Sequence, residues 1–161
     1  MTGTTAYSRM QIALHWGIAA LIGVNYVVSE GMEDVFDARM TGSLSSTANS
    51  AVHVYVGIAV MVLVVLRLIL RLVRGAPAAV HSNKPLMDMT AKGAHAALYV
   101  LMLAVPALGA ISWFGGVDAT AEIHVLAVNV MMSIVLVHAA AALFHQLVLR
   151  DGLLSRMVRG R

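Results

Sequence analysis

Cysteine is absent from this 161-residue sequence. Its absence excludes disulfide bonds, thiolate-bound iron–sulfur clusters and the C-x-x-C-H attachment of c-type haem. Charged residues are also scarce, at 12%, which is about half the share of a typical soluble domain. With 60% hydrophobic residues and a mean hydropathy of +0.83, the chain has too little polar surface to stay dissolved in water, so the lipid bilayer must surround most of it.

Four long stretches contain no Asp, Glu, Lys or Arg: residues 10–29, 40–66, 93–117 and 123–149. Each has at least the ~20 residues that a helix needs to cross the hydrocarbon core. The second stretch begins with a polar segment, so its membrane span is expected to start near Ala51. Polar and apolar residues do not alternate as they would in the strands of a membrane barrel.

These stretches predict an all-α membrane protein with a single domain over residues 1–161. We expect a bundle of four transmembrane helices, at about 9–29, 51–73, 93–114 and 121–149. The first helix is expected to be retained, because no small-residue cleavage site of a signal peptide follows its apolar run. Residues 75–92, which include two prolines, are expected to form a cytoplasmic loop.

The distribution of charge predicts the orientation of the bundle. If the N-terminus is cytoplasmic, ten of the eleven basic residues fall on the cytoplasmic side and only Arg39 falls on the other. Of the eight acidic residues, only Asp88 and Asp151 are then cytoplasmic. Basic residues are enriched in cytoplasmic loops, so we predict that both termini are cytoplasmic. The six acidic residues of the opposite face are Glu30, Glu33, Asp34, Asp37, Asp118 and Glu122.

Seven histidines are unexpected in so apolar a chain. His81 lies in the predicted loop, where a solvated side chain is the simplest interpretation. The other six lie within the predicted helices or near their ends, where an ionisable side chain is costly and indicates a functional site. A single such histidine can merely form a hydrogen bond to a neighbouring helix. The spacing of the six histidines therefore has to distinguish a structural role from a functional site.

His124 and His138 are 14 residues apart on the fourth helix, which is about 21 Å and nearly four turns, so they face the same way. This spacing suits two haem irons, one near each side of the membrane. At matching depths, His53 is the partner of His124 in an outer haem, and His15 is the partner of His138 in an inner haem. His145 is only about 10 Å from His138, too close for another haem level.

Three arginines follow His53 on the second helix. Arg67 comes 14 residues later and therefore lies on the same helix face, one haem level lower. It is a candidate partner for a propionate of the inner haem, although an anchor in the lipid headgroups is an equal alternative. For Arg71 and Arg74 the anchor is the preferred interpretation.

His95 and His145 lie near the cytoplasmic ends of the third and fourth helices. A quinone site needs a proton-exchanging group near water, and histidine titrates in the required range. We favour a quinone near His145 and a structural, hydrogen-bonded role for His95. No residue is assigned as catalytic from the sequence.

The ordered motifs on all four helices resemble those of the bacterial cytochrome b561 family. The matching segments are 7–16 (YSRMQIALHW), His53–Val54 with 65–71 (VLRLILR), His95 with Pro106 and Gly109, and 138–145 (HAAAALFH) with His124 and Asn129 upstream. The resemblance implies a four-helix di-haem b-type cytochrome of the inner membrane, related to the cytochrome b subunits of hydrogenases and formate dehydrogenases. It also implies His15, His53, His124 and His138 as ligands of two haem b groups.

Some members of this family are superoxide oxidases, which pass electrons from periplasmic superoxide to ubiquinone. Here the loop at 115–121 is shorter than is common in the family, and the outer face has a net charge of about −5, which repels an anion. An acidic face better suits a basic redox partner such as a c-type cytochrome. The expected partners are thus membrane lipid, ubiquinone and a periplasmic redox partner or superoxide, with no nucleic acid.

Two alternatives to an independent oxidoreductase remain open. The chain can serve as the electron-transfer subunit of a separate dehydrogenase. More remotely, a haem-free bundle can use its histidines as a proton relay in a transporter.

Overall fold

The computed structural model describes residues 7–43, 47–75 and 85–159, so that His81 and Lys84 lie outside the described residues. Six α-helices occur in these ranges: α1 Arg9–Val27, α2 Met32–Met40, α3 Ala48–Arg74, α4 Pro85–Gly115, α5 Asp118–Phe144 and α6 Leu153–Arg159. Four of them, α1, α3, α4 and α5, are long and apolar enough to cross a membrane. The predicted all-α bundle of four membrane-spanning helices is confirmed.

Capping boxes begin the first two membrane helices. The Ser8 hydroxyl accepts the Gln11 amide while the Gln11 side chain accepts the Ser8 amide, and Thr47 and Ser50 form the same reciprocal pair before α3. Each box satisfies two backbone donors that the first helical turn leaves without intrahelical partners. The starts of α1 and α3 are therefore encoded locally.

The membrane helices pack in chain order, α1 on α3, α3 on α4 and α4 on α5. Ile18, Val60 and Val64 form one buried cluster between α1 and α3. A second cluster, Leu98, Val105 and Met131, joins α4 to α5. Ile22 and Met102 pack against both clusters and connect the two halves of the bundle.

Large apolar side chains cover the outside of the bundle. Leu72, Leu136 and Val137 are each more than two-thirds exposed, at 76%, 68% and 69%. In water such a surface is unfavourable, whereas in a bilayer it is the surface that the acyl chains solvate. The pattern of exposure thus agrees with a membrane-spanning bundle.

The two ends of the bundle differ in charge. At the acidic end, where α1 ends and α3 begins, short α2 buries Val35 and Phe36. Its Arg39 guanidinium lies over the Trp113 ring, 4.8 Å from the ring centre. The sequence analysis did not predict this helix. At this end the acidic residues are Glu30, Glu33, Asp34, Asp37, Asp118 and Glu122.

At the opposite, basic end, one boundary differs from the expectation. α4 begins at Pro85, so the expected loop through residue 92 is wrong beyond residue 84. α5 ends at Phe144, after which His145–Leu149 form a π-helical turn and Arg150 adopts a left-handed conformation. The chain then forms α6, which is joined to α1 by the Trp16 indole N–H donating to the Met157 carbonyl over 2.8 Å.

Candidate functional site

Two histidine rings face each other at the acidic end. His53, in the second turn of α3, and His124, in the second turn of α5, have ring centres 6.2 Å apart and ring planes at 83°. Both rings are partly buried. The structure therefore brings together the two residues that their depth in the membrane had paired.

Backbone carbonyls hold both of these rings. Nδ1 of His53 lies 3.3 Å from the Asn25 carbonyl of α1, and Nδ1 of His124 lies 2.8 Å from the Val105 carbonyl of α4. A carbonyl can only accept, so each Nδ1 carries the hydrogen and each Nε2 keeps its lone pair. Histidines that bind metals commonly have this arrangement, because the hydrogen bond fixes the ring and its tautomer.

A glycine makes room for His124. A Cβ at Gly109 would lie 3.0 Å from His124 Cε1 and 3.2 Å from His124 Nδ1, closer than almost all Cβ contacts. The side-chain oxygen of Asn25 is also buried near this level, with no hydrogen-bond partner among the described residues. α4 thus approaches the His124 imidazole at Gly109, where a larger residue would displace the ring.

The spacing of these rings fits an iron between them. Two metal–nitrogen bonds of about 2 Å each account for about 4 Å of the 6.2 Å between the ring centres. The remainder of about 2 Å matches the two distances from nitrogen to ring centre, at about 1 Å each. Within the described residues, α5 packs extensively on α4 but not on α1 or α3. The separation of the two rings is thus compatible with one metal ion bound to both.

His95 of α4 and His138 of α5 meet nearer the basic end, and His15 of α1 lies in the same region. The ring centres of His95 and His138 are 5.1 Å apart with planes at 80°, and Nδ1 of His95 donates to the Ala91 carbonyl over 2.7 Å. His15 lies within electrostatic range of both, and of Arg67. At 5.1 Å, His95 is too close to His138 to hold an iron between them at about 2 Å per bond.

Arg67 connects α3 to α1 beside this group. Its Nη1 donates to the Gln11 carbonyl over 2.8 Å, and the Gln11 side-chain amide donates to the Gly75 carbonyl over 3.1 Å. Gln11 is only 7% exposed. Arg71, one turn further, places its guanidinium 5.7 Å from the centre of the Tyr99 ring. Both arginines therefore bind within the bundle in addition to any contact with headgroups.

His145 is held by a carboxylate. Its Nδ1 lies 2.5 Å from Oδ2 of Asp151, while Oδ1 of Asp151 accepts the Leu153 amide over 3.0 Å. Partial burial raises the pKa of the Asp151 carboxyl, but the hydrogen bonds from His145 and Leu153 outweigh it and leave the pKa below its ordinary value of 3.8. Asp151 is therefore an anion at neutral pH.

Sequence reasoning missed three of these contacts. Spacing along single helices placed His53 with His124, but it did not show that His95 touches His138, since that depends on the rotation of α4 against α5. Asp151 was counted only as a charge. The Gly109 contact had one signal in the sequence, its position in the motif with His95 and Pro106, but nothing there indicated that its neighbour is His124.

Comparison with known proteins identifies the kind of membrane protein that this bundle is. The sequence profile of prokaryotic cytochrome b561 matches residues 6–160. Cytochrome b562 of Cereibacter sphaeroides is 45% identical over 161 residues that cover all of both chains. A probable superoxide oxidase of Yersinia pestis is 26% identical over 94% of this chain and 95% of its own, and cytochrome b561 homolog 1 of Escherichia coli is 28% identical over 96% and 98%.

The fold, the intramembrane histidines and these similarities define a membrane electron-transfer protein of the cytochrome b type. The chain belongs to the prokaryotic cytochrome b561 family and is a multi-pass protein of the bacterial inner membrane. Membership implies that it binds haem b. The alignments with the Yersinia and Escherichia proteins extend over 176 positions, so those relatives contain insertions that the 161-position alignment with cytochrome b562 does not require.

Proposed function

We propose that this chain is a di-haem b-type cytochrome that carries single electrons across the inner membrane between a periplasmic donor and the quinone pool. Both termini are cytoplasmic in this proposal, which makes the acidic end periplasmic. Haem b supplies one-electron redox chemistry when it is bound. The observation that carries the proposal is the facing His53 and His124 rings, with their carbonyl-bound Nδ1 atoms, in an intramembrane position.

Four histidines hold the two haems. His53 and His124 bind the outer haem through Nε2, and the Asn25 and Val105 carbonyls keep each Nε2 unprotonated. His15 and His138 bind the inner haem. Arg67 pairs with a propionate of the inner haem, a role supported by its position near His15. The burial of these ligands and their hydrogen bonds set the redox potentials.

Haem stoichiometry tests this assignment. The purified protein should contain two haem b per chain, measured as the pyridine complex. His53→Ala and His124→Ala should each leave one haem with the same spectrum, and His15→Ala and His138→Ala should each leave the other. His95→Ala is the matched control and should keep both haems. A single haem in the unmodified protein, or loss of haem from the control variant, would contradict the assigned pairs.

A basic redox protein is the electron donor that the acidic end favours. Glu33, Asp34 and Asp37 are exposed on α2, and the one basic residue of this end, Arg39, is stacked on Trp113. A surface of one sign attracts partners of the opposite sign and speeds their encounter. A second donor, superoxide, is supported by the similarity to the probable superoxide oxidase of Yersinia pestis.

Charge reversal on α2 distinguishes the two donors. In Glu33→Lys/Asp34→Lys/Asp37→Lys, the rate constant for reduction by a basic c-type cytochrome should fall by about ten-fold or more at low salt, because the steering attraction is lost. Reduction by superoxide should instead become faster. Stopped-flow haem spectra measure both. If the unmodified protein reduces quinone with superoxide but accepts no electrons from the basic cytochrome, superoxide is the donor.

At the cytoplasmic side, quinone binds near His145. His145 comes seven residues after His138, within the last five residues of the membrane span, and its Nδ1 is bound to Asp151. The Nε2 atom is then the group that meets a quinone oxygen. If the chain is the subunit of a separate dehydrogenase instead, that dehydrogenase should co-purify with it and no quinone reduction should occur without it.

A further inference from the structure

We propose that Asp151 is the positioning residue for proton delivery to quinone, holding the His145 ring with its Nε2 directed at the substrate. The inference rests on the proposed quinone site. It extends that site to the segment after the last membrane helix.

The local backbone is built to bring Asp151 back to His145. The π-helical turn His145–Leu149 widens the end of α5, and Arg150 follows it at φ 52° and ψ 33°, in the left-handed region. A non-glycine residue there is uncommon and is kept only where surrounding contacts require it. The amide of Asp151 then reaches the His145 carbonyl at 3.4 Å. The reversal thus places the side chain of residue 151 beside the ring of residue 145.

Both carboxylate oxygens of Asp151 have defined partners. Oδ2 accepts from His145 Nδ1 and Oδ1 accepts the amide of Leu153, the first residue of α6. The helix is fastened in turn by the Ser155 hydroxyl on the Gly152 carbonyl and by the Trp16 indole on Met157. The carboxylate is therefore held in place and does not swing freely in solvent. For histidines that bind metals, mutation of the group that holds the other ring nitrogen commonly costs about 10–100-fold in metal affinity or activity.

The proposed step moves a proton from Nε2 of His145 to a quinone oxygen. Reduction of a quinone to a quinol consumes two electrons, which come from the periplasmic donor, and two protons, which come from water at the basic end. For a proton that passes through His145, the N–H bond at Nε2 breaks as an O–H bond to the quinone oxygen forms. The neutral ring then regains a proton from water. Oδ2 of Asp151 stays bound to Nδ1, so the ring keeps its orientation while Nε2 gives up and regains the proton.

Asp151→Asn is the test, because asparagine has one acceptor oxygen in place of two and cannot hold both Nδ1 of His145 and the Leu153 amide. With ubiquinone-1 as acceptor, kcat for quinone reduction should fall by about 10–100-fold while KM changes less than about three-fold. Binding is checked independently by the rise in Tm that ubiquinone-1 produces, which should persist. Asp151→Glu should restore part of the rate.

Two further variants test whether Asp151 acts on the rate through His145 or only by keeping α6 in place. Ser155→Ala breaks a neighbouring contact in the same segment and should leave kcat within about two-fold, since it leaves the hydrogen bond between His145 and Asp151 intact. In a His145→Ala background, Asp151→Asn should have no additional effect, because residues that act as a unit are not additive. An equal rate loss from Ser155→Ala, or an additive effect in the double variant, overturns the role of Asp151.

His145→Ala distinguishes the failure of this inference from failure of the quinone site. If His145→Ala lowers the rate and Asp151→Asn does not, the quinone site stands and the inference about Asp151 is wrong. If His145→Ala leaves both the rate and the ubiquinone-1 shift of Tm unchanged, quinone does not bind there and both proposals fall. Haem content is measured for every variant, and Asp151→Ala, which also lacks the carboxylate, serves for the same comparison if Asp151→Asn does not retain two haems.

Discussion

The histidines at the two ends of this bundle are held in different ways. At the acidic end, backbone carbonyls bind the two facing rings and a glycine makes room for one of them. Toward the basic end, side chains surround the histidines: His95 touches His138, Arg67 binds Gln11, and Asp151 binds His145. The histidine pair at the acidic end therefore depends on how closely helices approach, whereas the region toward the basic end depends on charge and hydrogen bonding.

The largest effect that separates the two sites is expected from Gly109→Val. The added side chain would overlap the His124 ring, whose Cε1 is already 3.0 Å from a Cβ at this position. We expect the outer haem to be lost while the inner haem remains, so that haem b falls from two per chain to one. Gly23→Val is the control, because a Cβ there has no atom within 4 Å. Equal loss of both haems in Gly109→Val would show that the sites are not independent.

A smaller effect, confined to the basic end, is expected from Arg67→Ala. The variant loses a charged hydrogen bond to the Gln11 carbonyl, which corresponds to about 1.5–3 kcal/mol of stability. Thermal unfolding in detergent measures it, with Arg74→Ala, an exposed residue on the same helix, as control. Loss of the positive charge should also lower the reduction potential of the inner haem. If only the potential of the outer haem changes, Arg67 does not face the inner propionate.

The smallest effect concerns acid. Because the folded-state pKa of Asp151 lies below the ordinary 3.8, its contribution to stability is present above that pH and is lost as the pH falls through the lower folded value. Hydrogen exchange of residues 145–159 should therefore be slow at pH 6 and faster near pH 3 after correction for intrinsic rates. In Asp151→Asn the difference should be small. Equal protection of the unmodified protein at both pH values would mean that other contacts hold this segment.

Much of the fold could be predicted because charge is so expensive in a membrane. The four charge-free stretches correspond to α1, α3, α4 and α5, since few charges can be placed in hydrocarbon. The same reasoning misplaced the start of α4, because the helix continues beyond the hydrocarbon through Asp88 and Lys92, where charge no longer marks its end. Pro85 at its first position was the available signal, since proline is favoured there.

The helices outside the membrane could not be predicted in the same way. α2 has nine residues, of which only Val35 and Phe36 are buried, and α6 has seven, so neither has the long apolar face that periodicity detects. The depth of the histidines follows from a rise of about 1.5 Å per residue, but their contacts depend on helix rotation, which spacing on one helix does not determine. For this reason the pairing of His53 with His124 could be predicted from their depth. The contacts of Gly109 with His124 and of Asp151 with His145 could not be predicted.

The bond from Trp16 to Met157 joins residues 141 positions apart in the chain. Ribosomes add about 5–20 residues per second, so roughly 7–30 seconds separate the synthesis of these two partners. During that interval α1 and α3 can already pack together, while α5, which supplies His124 and His138, has still to be made. The face of α4 that packs on α5 stays uncovered until then, and α6 fastens the basic end only after the last membrane helix is in place.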